Sequence, residues 1–287
     1  MKNARVAYLF LAPSFAFFAG WVLLPLILVG RLAMYKTNYI TWQFVGLKNF
    51  LTSAMEPLFQ KAVLNSLYYA FMVTVGNLML SVFMALLVCN TKKWLQDTMR
   101  FTLYIPLLAS GIIIGNVWRW IWHPSTGLAN WFISLVGLEP IAWLTYRPVA
   151  LLIIAMIIIT TAQGFAFLVL LASIHTIPTS LFDAAKIDGA SWLQIKLRII
   201  LPQLMPTIAL ISMLSIVAAP QIWETIYILT NGGPMGGTAT MLYDSWRTAF
   251  SAGQHGLAAA KSLLLLMLVF ALSWTKWRIE GGENGEK

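Results

Sequence analysis

The sequence predicts an all-α, polytopic membrane protein with six spanning helices, and three observations carry that reading. Of its 287 residues, 59% are hydrophobic and only 10% are charged, where an ordinary soluble domain carries about 25% charged residues. Six segments supply the roughly 20 mainly apolar residues that a spanning helix needs: 7–30, 62–88, 101–118, 148–174, 199–223 and 256–274. The basic residues flank these runs instead of gathering in one patch. The net charge of +9 therefore reads as membrane orientation in contact with lipid, not as a nucleic-acid surface.

The first run carries no charge, and Lys2 and Arg5 precede it. It is long enough to span, so a retained helix is expected in place of a cleaved signal peptide. The second run is also charge-free. Cys89 follows it as the only cysteine, which excludes an internal disulfide framework and reads as a buried, inert thiol. The third run ends at Arg119, within a group of tryptophans (Trp118, Trp120 and later Trp143) that marks a membrane–water interface. Runs four and five are charge-free, and run six holds one charge, Lys261. The tail from Gly281 to Lys287 is polar and expected to fray. No second domain and no internal repeat is read, so 1–287 is taken as one transmembrane domain.

Orientation follows from lysine and arginine. With the N-terminus inside, stretches 1–6, 91–100, 175–198 and 275–287 hold eleven basic residues in 53, and stretches 31–61, 123–147 and 221–255 hold six in 91. That difference is roughly threefold. Both termini are expected on the cytoplasmic side of a bacterial inner membrane. The exception to the pattern is the first outer loop, with Arg31, Lys36, Lys48 and Lys61.

Segment 178–202 is the only well-charged stretch between two long apolar runs. Ser180 followed by Asp183 suits a capping box, with Pro178 as a competing helix start. Ala184 and Ala185 favour helix, and Gly189 suits a left-handed stop. A second helical run enters the membrane at Pro202. Asp183-Ala184-Ala185, Gly189, Ile199 and Leu201-Pro202 have the spacing of the cytoplasmic loop of binding-protein-dependent ABC importers, with Asp183 where that family has Glu. The chain thus resembles the permease subunits of that family. Asp188-Gly189-Ala190 resembles its sugar-importing branch, as does Phe44-Val45-Gly46-Leu47-Lys48-Asn49-Phe50 after the first span. Gly127-Leu128-Ala129-Asn130 resembles the same family at the same distance before the cytoplasmic loop, and Thr230-Asn231-Gly232-Gly233-Pro234 with Gly256-Leu257-Ala258-Ala259-Ala260 resembles the end of the larger-partner type of sugar permease.

The resemblance implies that the loop forms a coupling helix docking on a cytoplasmic ATPase, with Leu181, Phe182, Asp183, Ala184, Ala185, Asp188 and Gly189 at the contact. It implies a companion permease, an ATPase dimer holding ATP and magnesium, and an extracytoplasmic solute-binding protein, with no cofactor bound by this chain. The implied activity is import of a sugar, oligosaccharide or similar polyol-like solute by alternating access. The alternative is an ion-coupled secondary transporter, which wants intramembrane ionisable groups and inverted repeats; only Lys261 is available.

Residue chemistry argues against an enzyme. No Gly-x-x-x-x-Gly-Lys-Ser/Thr phosphate loop occurs, and His123, His175 and His255 lack zinc-ligand spacing. Intramembrane polarity is scattered over Asn65, Asn77, Asn116, Gln163, Gln203 and Gln221. Each reads either as a helix–helix hydrogen bond or as hydroxyl recognition along a solute path. Asn116, Gln163 and Gln221 are taken as path candidates. By the resemblance, Phe165 and Ser215 fall where maltose permeases line their sugar site, whereas Leu107, Gly111, Ile158 and Ala219 replace polar or aromatic residues there. Lys261 has three readings: snorkelling to the outer interface, pairing with Glu224, or contacting the solute.

Overall fold

The computed structural model describes residues 2–283. Helix α1 comprises Lys2–Phe18, a wide π-type turn Ala19–Leu23 and Leu24–Ala33, and its side chains from Phe10 to Leu28 are exposed. A short antiparallel hairpin follows, β1 (Tyr35–Thr37) against β2 (Trp42–Phe44), with Lys36 opposite Gln43. Then come α2 (Lys48–Met55), α3 (Pro57–Val88), α4 (Lys93–Leu108), α5 (Gly111–Ile121), α6 (Leu128–Leu135) and α7 (Arg147–His175). The loop helix α8 (Thr179–Ile187) leads to α9 (Trp192–Gln203, with a π-type stretch Lys196–Ile200) and α10 (Met205–Ala218). The chain closes with α11 (Glu224–Leu229), α12 (Met241–Trp246) and α13 (His255–Glu283).

Runs one, two, four and six are continuous apolar helices of spanning length. Runs three and five are not single rods. Helices α4 and α5 meet at 101°, and α9 and α10 at 61°, so there are four continuous spanning helices, and six spans where each bent pair counts as one. Pro106 sits in the last turn of α4, Ala109 is extended, and the Ser110 hydroxyl accepts from the Ile113 N–H to start α5. At the second break, Pro202 and Pro206 flank Leu204 and remove two helix donors.

The contacts fall into two units. One comprises the chain up to Gln60 with Asp244–Leu268, the other Lys61–Tyr243 with the residues from Val269 onward. In the first, Ala33, Ala259 and Ala260 pack with Val29, Leu32, Phe50 and Leu263. Small residues let these helices approach closely, which is how apolar helices associate in lipid. The turn before α2 has a local cause: the buried Asn49 amide donates to Ala33 O at 2.8 Å and Tyr35 O at 2.9 Å. In the second unit the core runs through Ala85, Phe167, Leu170, Leu171, Ile195 and Leu204. A Cβ on Gly164 would meet the backbone of Leu103 and Tyr104, so α4 and α7 touch main chain to side-chain-free main chain. Asn130, the last residue of the Gly-Leu-Ala-Asn run, ties the loop after α5. It donates to Pro124 O at 2.7 Å and Ile141 O at 2.9 Å, and accepts from the Trp143 indole at 2.9 Å.

Candidate functional site

The loop helix α8 begins after Pro178 with no side-chain cap, so the Ser180–Asp183 capping box expected from the sequence does not form. Asp183 instead pairs with Lys186 at 3.3 Å, both exposed. The capping box forms instead at the start of the next helix: Ser191 Oγ accepts from Gln194 N–H, and Gln194 Oε1 accepts from Ser191 N–H at 2.7 Å, starting α9. Its sequence signal is Ser191-x-x-Gln194. Gly189 has φ +75° and ends the helix in the left-handed region. Gly189 N–H donates to Lys186 O at 3.1 Å and Ala190 N–H to Ala185 O at 2.9 Å, which satisfies the last carbonyls.

Helix α8 has two faces. Ala185 is buried and Phe182 half-buried against the core of the second unit. Leu181, Asp183, Ala184, Asp188 and Gly189 are exposed, and Ile187 is 87% exposed. The exposed face thus mixes apolar, small and charged side chains and is held to the core by Ala185 and Phe182.

Phe165 of α7 and Ser215 of α10 come together on a cavity of about 350 Å³. Leu107, Ile158 and Ala219, three of the four positions read as departures, line the same cavity. The fourth, Gly111, stands apart: the Glu224 carboxylate lies where its side chain would be. Asn77 was not a path candidate, yet it is the second polar group of the cavity. Its amide donates to Ser215 Oγ at 3.2 Å and accepts from Ser81 Oγ at 3.2 Å. Its signal was no stronger than that of five other intramembrane amides. The cavity is otherwise aliphatic, and its size suits a small ligand.

The remaining path candidates are not on that cavity. Gln163 is buried against the Met84 sulfur. Asn116 and Gln221 are exposed and donate to their own helices, at Ile112 O (2.9 Å) and Val217 O (2.7 Å). Asn65 serves structure: it donates to Ala239 O at 2.9 Å and accepts from Arg147 at 3.1 Å, pinning the 231–239 loop.

Lys261 requires a correction. Its side chain is 1% exposed, so the ammonium neither snorkels to an interface nor faces a solute path. Its partners are Asp244 at 2.6 Å and Glu56 at 2.7 Å, not Glu224, and it also donates to Thr248 Oγ1 at 3.0 Å. Arg247 shares Asp244 at 3.0 Å. A mid-helix lysine is tolerable because two carboxylates neutralise it. The two carboxylate partners sit 17 residues or more away in sequence, beyond any local pattern.

These helices define an all-α polytopic membrane protein whose charged loop at 178–202 carries a separate, largely exposed helix. Residues 77–277 match the family described as the binding-protein-dependent transport system inner membrane component, and the chain belongs to that family. Among curated relatives, it is 27% identical over 274 residues to the trehalose/maltose transport system permease protein MalF of Thermococcus litoralis, covering 95% of this chain and 92% of that one. It is 27% identical over 281 residues to the arabinooligosaccharides transport system permease protein AraP of Bacillus subtilis, covering 97% and 90%. A chain in the crystal structure of a bacterial alginate ABC transporter, in complex with an alginate pentasaccharide-bound periplasmic protein, shares the fold. The TM-score is 0.84 at 22% identity, over 97% of this chain and 94% of that one.

Proposed function

We propose that this chain is the membrane subunit of an ATP-driven importer for a sugar, oligosaccharide or similar polyol-like solute. The observation that carries the reading is helix α8: an exposed Leu181–Ala184–Ile187 face anchored by buried Ala185 and half-buried Phe182, and ended by left-handed Gly189. That face docks on a cytoplasmic ATPase dimer, which holds ATP and magnesium. Closure of the dimer moves α8, and the spans rock to expose the Phe165–Ser215 cavity alternately to each side. The termini are cytoplasmic in the bacterial inner membrane. A companion permease completes the path and an extracytoplasmic binding protein delivers the solute. Membership of the family and saccharide-named relatives support the solute class. Because this chain lines its cavity with aliphatic groups and only Asn77 and Ser215 for hydrogen bonding, the companion supplies most contacts to hydroxyls.

The test is uptake of labelled oligosaccharides by proteoliposomes holding both permeases and the ATPase. Import is expected to need ATP inside the ATPase-facing side and the binding protein on the other, and to survive ionophores. Import that collapses with the ion gradient and ignores ATP would establish the ion-coupled alternative.

A further inference from the structure

The first outer loop breaks the charge rule of this chain, with Arg31, Lys36, Lys48 and Lys61 on the side where basic residues are otherwise sparse. Basic residues there oppose the orientation the other loops impose. The structure gives two of them a common place. A cleft of about 530 Å³ is lined by Lys36, Thr41, Gln43, Lys48, Thr52 and Gln254, among others, with no acidic residue in its wall.

The cleft is built, not incidental. Pleating of the β1–β2 hairpin sends Lys36 and its cross-strand partner Gln43 to one face. Tyr35 packs edge-on to Trp42 and Phe44, at 5.8 and 5.4 Å, on the other. The hairpin thus has an aromatic side and a polar side. Its turn is fixed by Asn38, whose Oδ1 accepts from the N–H groups of Ile40 and Thr41 and from the Thr41 hydroxyl. The floor is fixed by Asn49 on Ala33 O and Tyr35 O. The far wall is closed by Gln254 N–H on Thr248 O at 3.0 Å.

The charge in the cleft is left uncompensated within its unit. Glu56 and Asp244 are the only acids among residues 1–60 and 244–268. Both are bound to Lys261, and Asp244 also to Arg247. Lys36 and Lys48 are exposed and have no ion pair among the described residues. Two lysines in a preformed polar cleft, with every local carboxylate taken, are complementary to carboxylates from elsewhere.

We infer that this cleft receives an acidic surface loop of the soluble extracytoplasmic binding protein, with Lys36 and Lys48 pairing Asp or Glu side chains and Gln43, Thr52 and Gln254 adding hydrogen bonds. This rests on the importer reading above. A protein partner is favoured over a lipid headgroup because the aromatic face of the hairpin, which suits the membrane interface, is the opposite one. Charge placed at the rim of such a contact acts mainly on encounter rate and salt dependence.

The test is binding of the binding protein encoded with this chain to the whole transporter in nanodiscs, by surface-immobilised kinetics at several salt concentrations. The Lys36→Glu/Lys48→Glu variant is expected to weaken binding at least about tenfold, chiefly in association rate, and to flatten the salt slope. Lys36→Gln/Lys48→Gln is expected to lie between. ATP hydrolysis without binding protein should be unchanged, which controls for folding. Reversal of acidic residues on the binding protein should restore the charge-reversed variant. Wild-type affinity and salt slope in the charge-reversed variant would overturn the cleft and leave the importer reading standing. A wild-type transporter that imports with ATP but whose lysine variants respond only to phosphatidylglycerol in the nanodisc would overturn it in favour of a headgroup. A wild-type transporter that binds no such protein overturns both.

Discussion

At the scale of single residues, burial decides what a polar group does. Lys261 looks in sequence like an intramembrane charge waiting for a function, and in the structure it is the centre of a closed ion cluster with Asp244 and Glu56. Removing one partner of a buried pair leaves the other desolvated and unpaired. Lys261→Met is therefore expected to cost about 3–5 kcal/mol, read as a fall in the thermal midpoint of the purified complex. Lys261→Met with Asp244→Asn is expected to recover part of it, since the buried carboxylate, left with only the part-exposed Arg247 as counter-ion, is then gone. A single variant as stable as the wild type would show that the cluster holds nothing together. Asn65 teaches the same lesson with opposite chemistry: an amide in an apolar run is spent on Ala239 O and Arg147, not on a solute.

At the scale of elements, two glycines mark where backbone geometry is decisive. Gly189 ends α8 at φ +75°, a region where a β-branched side chain is a genuine outlier. Gly189→Val is expected to insert normally yet to lose ATPase co-purification and uptake together. Full ATPase retention with normal uptake would refute a coupling role for α8. The neighbouring Asp183–Lys186 pair is exposed on both sides and is worth no more than about 0.3–0.5 kcal/mol, so Asp183→Asn should leave the fold unchanged. Gly164 is different in kind: a methyl there would strike the Leu103–Tyr104 backbone, which cannot swing aside. Gly164→Ala is expected to destabilise by about 1–3 kcal/mol or more, visible as reduced yield of monodisperse protein in detergent.

At the scale of the whole molecule, transport requires that one cavity be reached from two sides in turn. In a Cys89→Ser background, cysteines at Phe165 and Ser215 are expected to react with small thiol reagents at rates that change with ATP and fall with bound solute. Cys89 itself is a slow target: burial pushes its thiol above the ordinary value, with Lys196 pulling the other way. Replacing it removes a background that tracks α9 more than the cavity. No reaction at 165 or 215 in any nucleotide state would remove both from the path.

Hydropathy and spacing alone determined the all-α class, the six apolar runs and the loop helix with its glycine stop, and the family followed from the resemblance of that loop to a known motif. Each of those depends on residues close in the chain: length and charge of a run, a fixed interval from Asp183 to Pro202, a glycine where φ must be positive. Bends at Ser110 and Leu204 were half-written, since Pro106, Pro202 and Pro206 are visible but a proline in a span bends it only where neighbours re-satisfy the freed backbone. The tertiary structure alone decided which of many similar amides and hydroxyls meet. Asn77 and Ser215, 138 residues apart, share a cavity; Asn116 and Gln221 do not; Lys261 is neutralised by Asp244 and Glu56. The physical reason is that a polar group in an apolar run must find a partner, and nothing local in the sequence says which distant helix supplies it.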